Sequence, residues 1–159
     1  VDKSLLDEML LAANLAPSWK NSQTPRFYVA TGEKSKNAVR EALPEFNRKN
    51  SENASAYIVT TVVLNRSGFD KDGTAVTEIG NGWGYYDLGL NNMALLLKAT
   101  ELGISTLVMG IRDGEKLRKE FDIPKTEAVV SVIAVGYTDS KIVRPKRKSV
   151  EDFAKFYED

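Results

Sequence analysis

Two nearly uninterrupted apolar runs, Ala56–Leu64 (AYIVTTVVL) and Ala128–Tyr137, constrain this chain more than anything else in it. Each is too short to cross a bilayer, which takes ~18 residues, and each is rich in the β-branched residues that favour strands. A strand that is apolar on both faces must be covered on both, so Ala56–Leu64 predicts a central strand between layers of helix. The length of 159 residues lies in the usual range for one domain, and residues 1–159 are expected to form a single domain.

Helical periodicity surrounds these runs. Ser4-Leu5-Leu6-Asp7 matches a capping box, and apolar residues recur at 5, 6, 9, 12, 13 and 16 until Pro17-Ser18 ends the helix. Arg26–Thr31 reads as a strand and Lys34–Leu43 as a helix, with Pro44 just beyond it. Residues 66–84 are Gly-rich and aperiodic, a pattern more typical of a lid or binding loop than of an idle linker. Tyr85–Leu102 reads as a helix that is apolar around most of its circumference, which suits the core or a subunit interface. A strand over Ile104–Met109 follows, then a short helix Glu115–Phe121 capped by Asp113, and finally a terminal helix Ser149–Tyr157 capped by Ser149. This alternation leaves a parallel α/β sheet and an α+β sheet both open.

The chain has no cysteine and no histidine. Disulfides, thiolate nucleophiles, Cys/His zinc sites, Ser-His triads and imidazole bases are therefore excluded. An enzyme built this way must rely on carboxylates, backbone amides or a cofactor. Lys plus Arg number 22 and Asp plus Glu number 22, so no net field draws the chain to nucleic acid or an anionic membrane. No secretory signal pattern opens the sequence, and the expected location is cytoplasmic.

Three segments could carry chemistry. In Ser18-Trp19-Lys20-Asn21-Ser22-Gln23-Thr24-Pro25, the amides of Asn21 and Gln23 suit a flat polar heterocycle, and the same residues also suit a plain turn. In Ser105–Gly110, the terminal glycine would let backbone N–H groups approach a ligand, or would simply end a strand. Arg144-Pro145-Lys146-Arg147-Lys148, ahead of the terminal helix, could cradle a phosphate or lie solvated on the surface. Neither GxGxxG nor GxxxxGK[ST] is present.

In order, Ala16-Pro17-Ser18-x-x-Asn21-x-Gln23-x-Pro25 with Phe27-Tyr28-Val29, Tyr86–Asn92 through Leu102–Thr106, Gly110, Val135-Gly136-Tyr137 and Lys146–Asp152 closely resemble the FMN-dependent nitroreductase family. The resemblance implies an α+β fold with a mainly antiparallel central sheet flanked by helices, and a homodimer with two FMN sites at its interface. In that picture Pro17, Ser18 and Asn21, with Gln23, reach the flavin of the partner subunit. Asn47 contacts the pyrimidine edge of the ring, and the strand end Val108, Met109 and Gly110 faces the ring through backbone amides. Arg147, aided by Lys146, holds the phosphate, while Trp83 and Tyr85 shape the acceptor pocket. The implied activity is ping-pong hydride transfer from NAD(P)H through FMN to a nitroaromatic, quinone or similar acceptor. No side chain is assigned as catalytic and no metal is expected. The rival expectations are a flavin-binding module without turnover and a cofactor-free interaction domain.

The family's arginine-rich opening has no counterpart in this sequence, which starts at Val1. The expectation is either a truncated chain or a phosphate held by fewer charge-assisted bonds, each worth roughly 1.5–3 kcal/mol. The longer arm that many relatives exchange across the dimer is also expected to be missing.

Overall fold

The two apolar runs pair with each other. In a computed structural model that describes residues 1–158, β2 (Ala56–Val63) and β4 (Glu127–Gly136) form the antiparallel centre of a four-stranded sheet. β1 (Pro25–Ala30) pairs with β2 and β3 (Ser105–Met109) with β4, both antiparallel, which gives the order β1-β2-β4-β3. Every residue of β2 from Ala56 to Val62 is buried. The sheet is thus the antiparallel, helix-flanked one that the family resemblance implies.

Side chains alternate across the sheet with the strand period of two. Tyr57 and Val59 join one core cluster with Val39 of α2 (Glu33–Glu41) and Leu117 of α5 (Gly114–Glu120). Ala56 and Ile58 join a second with Leu6, Met9 and Ala13 of α1 (Lys3–Asn14) and with Leu95 and Ala99 of α4 (Gly82–Glu101). Gly84 lets α4 approach the sheet closely, since a Cβ there would lie 2.8 Å from Val62 Cγ2. At the far end of the first face, Tyr28 Oη donates to Glu127 at 2.9 Å and Thr61 Oγ1 to the same carboxylate at 2.5 Å. Burial first, and Glu127 second, push the Tyr28 phenol up to about 12.

Several sequence expectations shift. Ser4 does not cap α1; Asp2 occupies that position, its carbonyl accepting from Leu5 and Leu6, and Lys3 pairs with Asp7 one turn on at 2.6 Å. Pro44 ends one helix and begins another, α3 (Glu45–Asn50), with its extended backbone at the N-cap. The long helix starts at Gly82, so Trp83 lies in its first turn rather than in the preceding loop. One side of α4 is buried through Leu88, Asn91, Leu95 and Ala99, whereas Tyr86, Met93 and Leu97 are more than half exposed on the other. The terminal helix shrinks to α6 (Val150–Phe153), with Ala154 back in extended conformation. No residue of α6 is buried, and a short helix without a packed face does not propagate. Among the described residues, no helix is long and apolar enough to cross a membrane.

Candidate functional site

The segment after α1 is held in an unusual conformation. Trp19–Asn21 make a 3₁₀ turn, and Lys20, Asn21 and Gln23 have φ of 46°, 55° and 48°. Each non-glycine residue in this left-handed region costs roughly 1–2 kcal/mol, so the surroundings must enforce it. Asp87, only 2% exposed, supplies the anchor: the Trp19 N–H reaches both of its carboxylate oxygens at 3.1 Å. Ser67 Oγ donates to Asp87 at 2.5 Å and lies 2.6 Å from Ser22 Oγ and 3.2 Å from Thr24 Oγ1. Within the segment, the Gln23 N–H donates to Ser18 Oγ at 3.0 Å.

Aromatic contacts reinforce the anchor. The Trp19 ring packs on Trp83 at a centroid distance of 4.7 Å and 48° tilt, and Trp83 meets Tyr86 edge-on at 5.8 Å. Trp83 Nε1 donates to Thr77 Oγ1 at 2.7 Å, which ties in the loop before α4. That loop folds tightly around Gly68, whose φ of +83° only glycine adopts easily; a Cβ there would come within 2.6 Å of Trp83 Cδ1. Tyr85, two positions beyond Trp83 on α4, is exposed. A cavity of about 380 Å³ lies beside the segment, lined by Ser18, Gln23, Arg26, Arg66 and Asn91.

A second group of sequence-predicted residues assembles at the end of β3. Asn47 Nδ2, on α3, donates to the Ile111 carbonyl at 3.2 Å across 64 residues of chain. Arg112 donates to the Gly110 carbonyl at 3.2 Å and to that of Val129 at 2.5 Å, which fixes the turn away from the strand. The Met109 side chain is buried in the core, so only its backbone can serve a ligand; Val108 is about half exposed. A Cβ placed on Gly110 meets nothing within 4 Å, so the strand end is open to a flat group. The larger cavity, about 710 Å³, touches β3 at Ser105, Thr106 and Leu107 and reaches Lys49 on α3 and Thr138 at the root of the tail.

Residues 137–153 are all exposed, and Lys146 and Arg147 lie among them. Among the described residues, Arg147 donates only to the nearby Pro145 carbonyl, at 3.5 Å. The structure therefore brings Ser18, Asn21, Gln23 and Trp83 into one neighbourhood and Asn47, Val108, Met109 and Gly110 into another, with the two tail cations in neither. Asp87 and Ser67 are what sequence reasoning missed. The available signal was an acidic residue at 87, spaced i, i+4 and i+8 with Asn91 and Leu95 on the face that turned out buried.

The neutral amides of Asn21, Gln23 and Asn47 suit a planar heterocycle with carbonyl and ring-nitrogen edges, and the guanidinium groups of Arg26 and Arg66 give the smaller cavity a positive wall that suits an anionic group. The sequence matches the model of the nitroreductase family over residues 1–137, and the chain belongs to that family. No curated protein matches it. Among solved structures, it is similar to a nitroreductase family protein from Streptococcus pneumoniae TIGR4, at TM-score 0.82 and 22% identity over 99% of this chain and 90% of that one. A nitroreductase family protein from Clostridium difficile 630 superposes at TM-score 0.77 and 22% identity, covering 98% and 87%. A protein described as an oxidoreductase containing FMN superposes at TM-score 0.82 and 25% identity, covering 98% and 81%.

Proposed function

We propose that this chain is an FMN-dependent oxidoreductase that takes reducing equivalents from NAD(P)H and passes them to an oxidised acceptor such as a nitroaromatic or quinone. The observation that carries the reading is the Asn47–Ile111 hydrogen bond. It joins two segments, distant in sequence, that the family resemblance assigns to one flavin ring. Bound FMN would supply the hydride relay of a ping-pong cycle, chemistry that a chain without His or Cys does not itself offer.

The protein's part is to bind, orient and exclude. Asn47 would address the pyrimidine edge, and the backbone of Val108, Met109 and Gly110 would offer donors where negative charge develops. Lys146 and Arg147 would take the phosphate. Pro17, Ser18, Asn21 and Gln23 would complete the site from a second copy, with Trp83 and Tyr85 bordering the acceptor. The homodimer this needs is supported by apolar side chains left uncovered in one protomer: Leu11 on α1 and Leu15 just past its end, Met93 and Leu97 on α4, and Phe153 in the tail. Residues 1–159 would act as one domain in the cytoplasm, without a nucleic-acid or membrane partner.

The direct test is NAD(P)H consumption by the purified protein with and without added FMN, using a quinone and a nitroaromatic as acceptors. Flavin-dependent turnover is expected. No turnover with either acceptor overturns the reading.

A further inference from the structure

We infer that Asp87 is a positioning residue for the flavin-facing segment Ser18–Gln23, acting through the backbone of Trp19 and the hydroxyl of Ser67. The inference rests on the flavin reading above and adds to it the device that fixes half of the site.

At 2% exposure Asp87 cannot touch a ligand, and no cation pairs with its carboxylate among the described residues. A buried carboxylate held only by neutral donors is a costly element of a core, and an apolar side chain at this buried position of α4 would avoid that cost. What the carboxylate provides is geometry. Its two oxygens share the Trp19 N–H at 3.1 Å each, and one of them accepts from Ser67, which also contacts Ser22 and Thr24. A single residue on a rigid helix thus reaches both ends of a segment in which three residues sit in the left-handed region.

Helical spacing explains the grip on Trp19. Trp83 and Asp87 stand four residues apart, on one face of α4. The first packs against the Trp19 ring at 4.7 Å, and the second holds its backbone N–H. Without the carboxylate, residues 20–23 would relax from their strained conformation, and the fraction of molecules presenting Ser18 and Asn21 correctly would fall. Apparent affinity falls by that same fraction.

The chain has two tryptophans, and both belong to this contact, so its near-ultraviolet circular dichroism reports the segment with no label or cofactor. The experiment compares the unsubstituted protein with Asp87→Leu, Asp87→Asn and Ser67→Ala in three measurements: near-ultraviolet dichroism, melting temperature and FMN titration by quenching of flavin fluorescence. Asp87→Leu is expected to lose the tryptophan-pair signal and to bind FMN at least tenfold more weakly. Asp87→Asn, which keeps one acceptor oxygen, and Ser67→Ala, which keeps the Trp19 bond, should each weaken FMN binding about threefold while retaining the dichroism. If Asp87→Leu fails to fold, those two milder variants carry the test. Unchanged FMN affinity in the variants, whatever their melting temperatures, overturns the positioning role and leaves the flavin reading standing. Failure of the unsubstituted protein to bind FMN overturns the flavin reading itself, and the positioning role with it.

Discussion

Asn47 Nδ2 and the Ile111 carbonyl oxygen lie 3.2 Å apart, and this single bond fastens α3 to the segment that leaves β3. Asn47→Ala removes the bond together with the amide assigned to the pyrimidine edge. One neutral hydrogen bond is worth about 1 kcal/mol net, so FMN affinity should fall roughly fivefold, measured by fluorescence titration. Asn47→Asp should fall further, because it not only loses the donor but sets a charged acceptor against the Ile111 carbonyl oxygen.

The loop before α4 should be far less tolerant at Gly68 than at Gly73. Both have positive φ, +83° and +85°, but a Cβ at Gly68 meets Trp83 and the Gly80 carbonyl, whereas at Gly73 it meets nothing within 4 Å. Gly73→Ala should cost only the backbone term, roughly 1–2 kcal/mol. Gly68→Ala should cost clearly more and disturb the Trp83 contact with Trp19. Chemical denaturation of the two variants checks the order.

Stability in alkali should carry the signature of Tyr28. Its phenol stays protonated in the fold up to about 12, against 10.0 for the free side chain. Below pH 10 both states bind the proton and the contribution is complete. Between pH 10 and 12 the unfolded chain releases the proton first, so stability falls as pH rises. Tyr28→Phe should flatten that limb of the curve in denaturation experiments from pH 8 to 12.

A charge on the uncovered side of α4 should break the proposed pairing of protomers. Leu97→Asp and Met93→Asp alter residues that are 58% and 53% exposed in one protomer, so the fold itself should survive. Sedimentation should show a dimer for the unsubstituted chain and a monomer for either variant, with flavin binding lost together with the dimer.

How much of this was legible beforehand depended on how local the cause was. The apolar runs announced β2 and β4 because burial on both faces leaves no polar alternation to misread. Asp113 was legible as a cap, and its side chain accepts from the Lys116 N–H as capping requires. α3 was hidden because Pro44 reads as a stop, although its fixed φ also starts a helix well. The terminal helix was overread because the Ser149 cap marks only where it starts, and no residue of α6 is buried to carry it further. The site was legible only through the family resemblance. Asp87 escaped because its partners, at 19 and 67, are distant in sequence, and no periodicity encodes such a contact.

The most direct test of the flavin assignment is the visible absorption spectrum of the protein after mixing with FMN and removal of the unbound molecule, taken before and after anaerobic addition of NADH or NADPH. A retained oxidised-flavin band that bleaches on reduction is the expected result. A colourless protein, or a yellow one that neither nicotinamide bleaches, would contradict it.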